Sequence, residues 1–138
     1  MNILVCISRV PDTASRIMVS ADGKTVDKQG IKYIVNPYDE FALEEGLRLR
    51  EKNGGTVTAL AVGPDGAKDI LRTALAMGVD KAVLVKADEN IDSFAVAENL
   101  ANYAKETNPA AGLTEYPYAE AVEGARAYFG GDDLAATV

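Results

Sequence analysis

The chain has 138 residues, enough for one domain with an ordinary core, and its 48% apolar and 25% charged residues are typical of a soluble globular protein. A net charge of −7 argues against nucleic acid and anionic membrane as partners, because phosphate-rich surfaces favour basic proteins. One cysteine and no histidine exclude an internal disulfide, a Cys/His zinc site and histidine acid–base catalysis.

In chain order, the first segment, MNILVCISRV, lacks the basic, apolar and small-residue pattern of a secretory signal. No apolar run in the chain nears the ~20 residues that span a bilayer, so membrane insertion is not expected and cytoplasmic residence is. Residues 3–7 (ILVCI) form a continuous apolar run, which predicts a central parallel strand buried on both faces. Cys6 lies inside it and reads as a small buried hydrophobe with an inert thiol. Pro11 and Asp12 break the pattern, so residues 8–16 read as a loop.

Residues 16–35 alternate apolar and polar positions around Asp22-Gly23, a strong hairpin turn signal. They predict a small antiparallel excursion between the first strand and the first helix. Asn36 is a good N-cap and Pro37 a good first helical residue, with Asp39 and Glu40 placed at the positive end of the helix dipole. Ala42, Leu43, Gly46, Leu47 and Leu49 predict the inward stripe, and Asn53-Gly54-Gly55 predicts the stop.

Two more strand–helix units follow. Residues 56–62 (TVTALAV) predict a buried strand, Gly63-Pro64-Asp65-Gly66 a turn, and residues 67–77 a helix with Ile70, Leu71, Ala74 and Leu75 inward. Residues 81–85 (KAVLV) predict a third strand. Asp92 or Ser93 then caps a third helix whose inner face is Val96, Ala97, Leu100, Ala101 and Ala104. Beyond about Glu106 a helix over 117–129 and a short strand or tail over 134–138 are expected. Tyr103, Tyr116, Tyr118, Tyr128 and Phe129 suit a core edge or a partner surface there. Three strand–helix units in a row imply an α/β fold with a parallel sheet and right-handed crossovers.

Ligands of such sheets settle beyond the carboxyl ends of the strands, which here means the loops at 8–12, 63–66 and 87–91 and the helix start at 36–39. Backbone N–H groups in such places suit phosphate. No Walker phosphate loop and no G-x-G-x-x-G after the first strand is present. The carboxylate pairs Asp39/Glu40 and Asp65/Asp69 read as helix caps and solvated faces. No residue pattern argues for a catalytic centre.

Three blocks carry a resemblance: ILVCISRVPDT, then ADGKTVDKQGIKYIVNPYDEFALEEGLRLREKNGGTVTALAVGP, then ILRTALAMGVDKAVLV. Together they resemble the β subunit of electron transfer flavoprotein, over residues 1–101 of a single domain. Residues 102–138 form a divergent or truncated C-terminal segment. Ser8 also departs, standing where the family usually has a basic residue. The resemblance implies a three-layer sandwich of the adenine nucleotide α-hydrolase-like, Rossmann-like kind. It implies an electron carrier subunit with no catalytic centre of its own, in a heterodimer with an α subunit that carries most FAD contacts. A dehydrogenase, of acyl-CoA or another substrate, would be the electron donor. It also implies a structural AMP, whose contacts fall on Cys6, on Asn36, Pro37, Tyr38 and Asp39, and on Val62. The alternative is a stand-alone adenine-nucleotide-binding or interaction module without electron transfer, for instance a homodimer.

Overall fold

The computed structural model describes residues 1–107. The expected helix at 117–129, the expected strand at 134–138, and Tyr116, Tyr118, Tyr128 and Phe129 lie outside those residues.

The apolar runs become three parallel strands, β1 (Asn2–Cys6), β6 (Thr56–Gly63) and β7 (Lys81–Lys86), in the order β1-β6-β7. Ile3 lies opposite Val57, Cys6 opposite Leu60, and Val62 opposite Val85. Helices α1 (Pro37–Asn53) and α2 (Lys68–Met77) make the two crossovers. Both crossovers step the same way across the sheet, so the right-handed rule puts both helices on one face. There Ile3, Val5, Val57, Ala59 and Ala61 meet Leu43, Leu47, Ile70 and Leu71 in one buried cluster.

Gly46 sets how closely α1 approaches: a Cβ on it would lie 3.0 Å from Val5 Cγ2 and 3.5 Å from Val57 Cγ1. Helix α3 (Ser93–Glu106) packs on β6. It takes the opposite face, where the alternate residue Leu60 is fully buried. Helix, sheet and helix form three layers, which agrees with the α/β expectation.

The connection from β1 to α1 differs from the expected loop. Arg9–Pro11 form a short strand, β2, pairing antiparallel with β5 (Tyr33–Val35). Pro11 is accepted because it ends a two-stranded ribbon and has no second neighbour to donate to. Asp12 then accepts the Ala14 N–H at 2.9 Å and turns the chain. Between them β3 (Met18–Val19) and β4 (Val26–Asp27) make the expected hairpin, with Gly23 at a φ of 70° in its turn.

Two helix faces also differ. Leu75 is 45% exposed, because it follows Ala74 by one residue and rotates out of the stripe set by Ile70, Leu71 and Ala74. On α3 only Ala101 is fully buried, while Val96, Ala97, Leu100 and Ala104 are half-buried. Val96 and Leu100 border a cavity rather than close-packed side chains.

Candidate functional site

The chain leaves β1 and β6 toward the α1/α2 face and leaves β7 toward the α3 face. A change of side of this kind opens a crevice at the carboxyl ends of a parallel sheet. A cavity of about 620 Å³ lies there, bounded by the ends of β1 and β6, the loops at 63–67 and 88–91, the excursion, and α3. That is the size range of small-molecule and cofactor sites.

Of the residues expected to hold a ligand, Cys6, Asp39 and Val62 line this cavity together. Val62 lies two residues past the last β1–β6 pair, Cys6 with Leu60. Ile7 donates its N–H to Leu60 O at 2.8 Å. Alternate residues of a parallel strand face the same neighbour, so the backbone of Cys6 is turned away from β6, toward the side of β1 that has no strand partner among the described residues. Burial of the Cys6 thiol, aided by the nearby Asp39 charge, pushes its pKa up to about 12.

Asn36, Pro37 and Tyr38 are not among the lining residues. Asn36 Oδ1 accepts the Tyr38 N–H at 3.2 Å, so its side chain serves as the N-cap of α1. Pro37 occupies the first turn, and the Tyr38 side chain is 65% exposed. Asp39 is the one residue of this block aimed at the cavity. Its Oδ2 accepts the Ser8 N–H at 2.7 Å and the Ser8 hydroxyl at 2.6 Å. The Asn36 N–H in turn donates to Ser8 O at 3.0 Å, so Ser8 locks the end of β1 to the start of α1. Burial raises the Asp39 pKa, and the two Ser8 hydrogen bonds oppose that rise.

Sequence reasoning missed the charged side of the cavity. Arg9 reaches over the Tyr33 ring, 3.5 Å from its centroid. It meets Glu89 at 3.5 Å, and Lys28 meets the same carboxylate at 2.7 Å. The alternation of residues 16–35 foretold strands but not which loop they would face, and Arg9 fell in a stretch expected to be a loop. Among the described residues no group of three or more Cys, Asp or Glu side chains is arranged to hold a metal ion. Nor is any described helix long and apolar enough to cross a membrane.

The cavity is thus lined by the carboxylates of Asp39, Asp88 and Glu89 and by the cations of Arg9 and Lys28, with the ends of β1 and β6 beside them. The family described as the electron transfer flavoprotein domain matches residues 23–115. The electron transfer flavoprotein subunit beta of Bacillus subtilis is 43% identical over 109 residues, covering 77% of this chain and 42% of the relative. That of Syntrophomonas wolfei is 44% identical over 110 residues, covering 79% and 43%. Protein FixA of Azorhizobium caulinodans is 52% identical over 85 residues, covering 62% and 30%. The chain thus spans less than half the length of the curated relatives it matches. With the family match covering well over half of the chain, the chain belongs to the electron transfer flavoprotein family.

Proposed function

We propose that the chain serves as an electron transfer flavoprotein β subunit, or the nucleotide-binding part of one, and holds AMP in the cavity at the carboxyl ends of β1 and β6. The convergence of Cys6, Asp39 and Val62 on that one cavity carries the reading. The outward backbone groups of Cys6 and the end of β6 at Val62 suit the edge of a purine. Asp39, a hydrogen-bond acceptor, suits ribose hydroxyls. Asn36, Pro37 and Tyr38 act one step back, by fixing the first turn of α1 from which Asp39 projects.

In this reading the nucleotide is structural, and the redox chemistry belongs to FAD held mainly by an α subunit. A dehydrogenase supplies the electrons. The relatives named as subunit beta support the pairing, since a β subunit implies a companion. In the same reading the chain is a carrier subunit with no catalytic centre of its own.

Two measurements test the proposal. Heat denaturation of the purified protein should release AMP. Failing co-purified ligand, AMP at 100 times its Kd should raise stability by about 2.7 kcal/mol. No released nucleotide and no stabilisation would sink the AMP assignment. Co-expression with an α subunit should give a flavin-coloured heterodimer. A protein that binds AMP but forms no such complex would instead be the stand-alone module.

A further inference from the structure

Two separate segments wall the cavity away from the sheet. Thr25, Val26 and Lys28 line it from the β3–β4 hairpin and its exit, and Asp88, Glu89 and Ile91 line it from the loop after β7. Among the described residues no backbone hydrogen bond joins residues 16–32 to residues 87–92. The two walls are tied through one carboxylate. Glu89 accepts from Lys28 at 2.7 Å and sits 3.5 Å from Arg9.

The two cations are held differently. Arg9 is fixed: its Cζ lies 3.5 Å from the centre of the Tyr33 ring, and a Cβ at Gly66 would stand only 3.2 Å from its Nη2. Lys28 is half-exposed and follows β4, whose ladder with β3 is two pairs long. Glu89 sits on a loop turned by Asp88, whose Oδ1 accepts the Asn90 N–H at 2.8 Å and whose carbonyl accepts the Ile91 N–H at 3.2 Å. That turn keeps Glu89 in place without the ion pairs. The link therefore has an anchored end, Glu89 with Arg9, and an end on an element that opens easily. One exposed ion pair is weak, but a carboxylate shared by two cations, one of them packed on a ring, is a small network.

We propose that Glu89 is a latch: by holding Lys28 it ties the β3–β4 hairpin to the loop after β7, and its release lets the hairpin leave the cavity. The latch governs access to the cavity and does not depend on which ligand the cavity holds. Because both ion pairs are exposed to solvent, salt weakens them and loosens the hairpin. Cys6 reports the opening, since its thiol lines the cavity and it is the one cysteine of the chain.

The test is the rate at which a small uncharged reagent, methyl methanethiosulfonate, labels Cys6 in the native full chain and its E89Q, K28Q and E89Q/K28Q variants. All are freed of bound ligand and compared at one pH. Release of the latch should speed labelling about threefold to fivefold in E89Q and K28Q alike. The two substitutions remove opposite charges, so altered thiol ionisation alone would move the two rates in opposite directions. The double variant should label no faster than E89Q, because both lack the same contact. Salt at about 1 M should speed the parent more than E89Q. Both side chains are partly exposed, so their loss spares the fold. Labelling of E89Q at the parent's rate, opposite shifts in the two single variants, or multiplied effects in the double variant overturns the latch. So does labelling of Cys6 no faster than hydrogen exchange at the fully buried Leu60, since the hairpin would then open only when the whole chain unfolds.

Discussion

At the scale of single residues, Ser8 and Asp39 carry the most consequence. The Ser8 hydroxyl donates to the Asp39 carboxylate, and so does the Ser8 N–H. Burial raises the Asp39 pKa above its ordinary value of 3.8. The folded state therefore holds the proton more tightly than the unfolded chain, and this group's contribution to stability falls as pH rises from 3.8 through the folded value. Asp39→Asn keeps an oxygen for Ser8 and removes the charge. Its urea-unfolding stability should vary less with pH than the parent's from 3.8 upward, and a steeper dependence would contradict the assignment. Cys6 gives a second check. With burial pushing its thiol pKa up to about 12, native protein at pH 8 should react with a thiol reagent far more slowly than unfolded protein. Rapid native labelling would mean that the strand end is open to water.

At the scale of elements, α1 joins the core to the cavity wall, since its first turn carries Asp39. Its N-cap is Asn36, and Asn36→Ala should cost about 1 kcal/mol in urea unfolding, equally with and without AMP if the side chain only caps. A larger loss in the presence of AMP would put Asn36 on the ligand. One face lower, Gly46→Ala gains helix propensity of about 1 kcal/mol but forces a methyl within 3.0 Å of Val5 Cγ2. Val5 is fully buried and has nowhere to go, so overpacking of about 1–3 kcal/mol should win and the variant unfold at lower urea. Such features were legible in the sequence because they are local. The Asn-Pro cap, the Gly stops and the apolar stripes lie within a few residues of one another. The short strand Arg9–Pro11 was not legible, since Pro11 and Asp12 look like a loop until Tyr33–Val35 arrives to pair with them. Leu75 failed for the opposite reason: its spacing is helical, but it lies one residue past Ala74 and turns out of the buried stripe.

At the scale of the whole molecule, the location of the cavity followed from strand direction alone, but the character of its far wall did not. Arg9, Lys28 and Glu89 come from three separate segments, and no pattern within any of them announces a meeting. The two walls also differ in kind. One is the end of a sheet backed by a fully buried core at Val5, Val57 and Leu60. The other includes the hairpin of β3 and β4, which pairs only two residues per strand and leaves Ile17 and Val19 53% and 71% exposed. Two-stranded ribbons of this size are marginal by themselves, so the hairpin opens at far lower cost than the sheet. Trypsin should therefore cut first after Lys24 or Lys28, and AMP should slow that cut while leaving global unfolding cuts governed by the core. In the proposed AMP complex, substitutions in that four-residue ladder should raise the off-rate of the nucleotide while leaving the sheet end at Cys6 and Val62 unchanged.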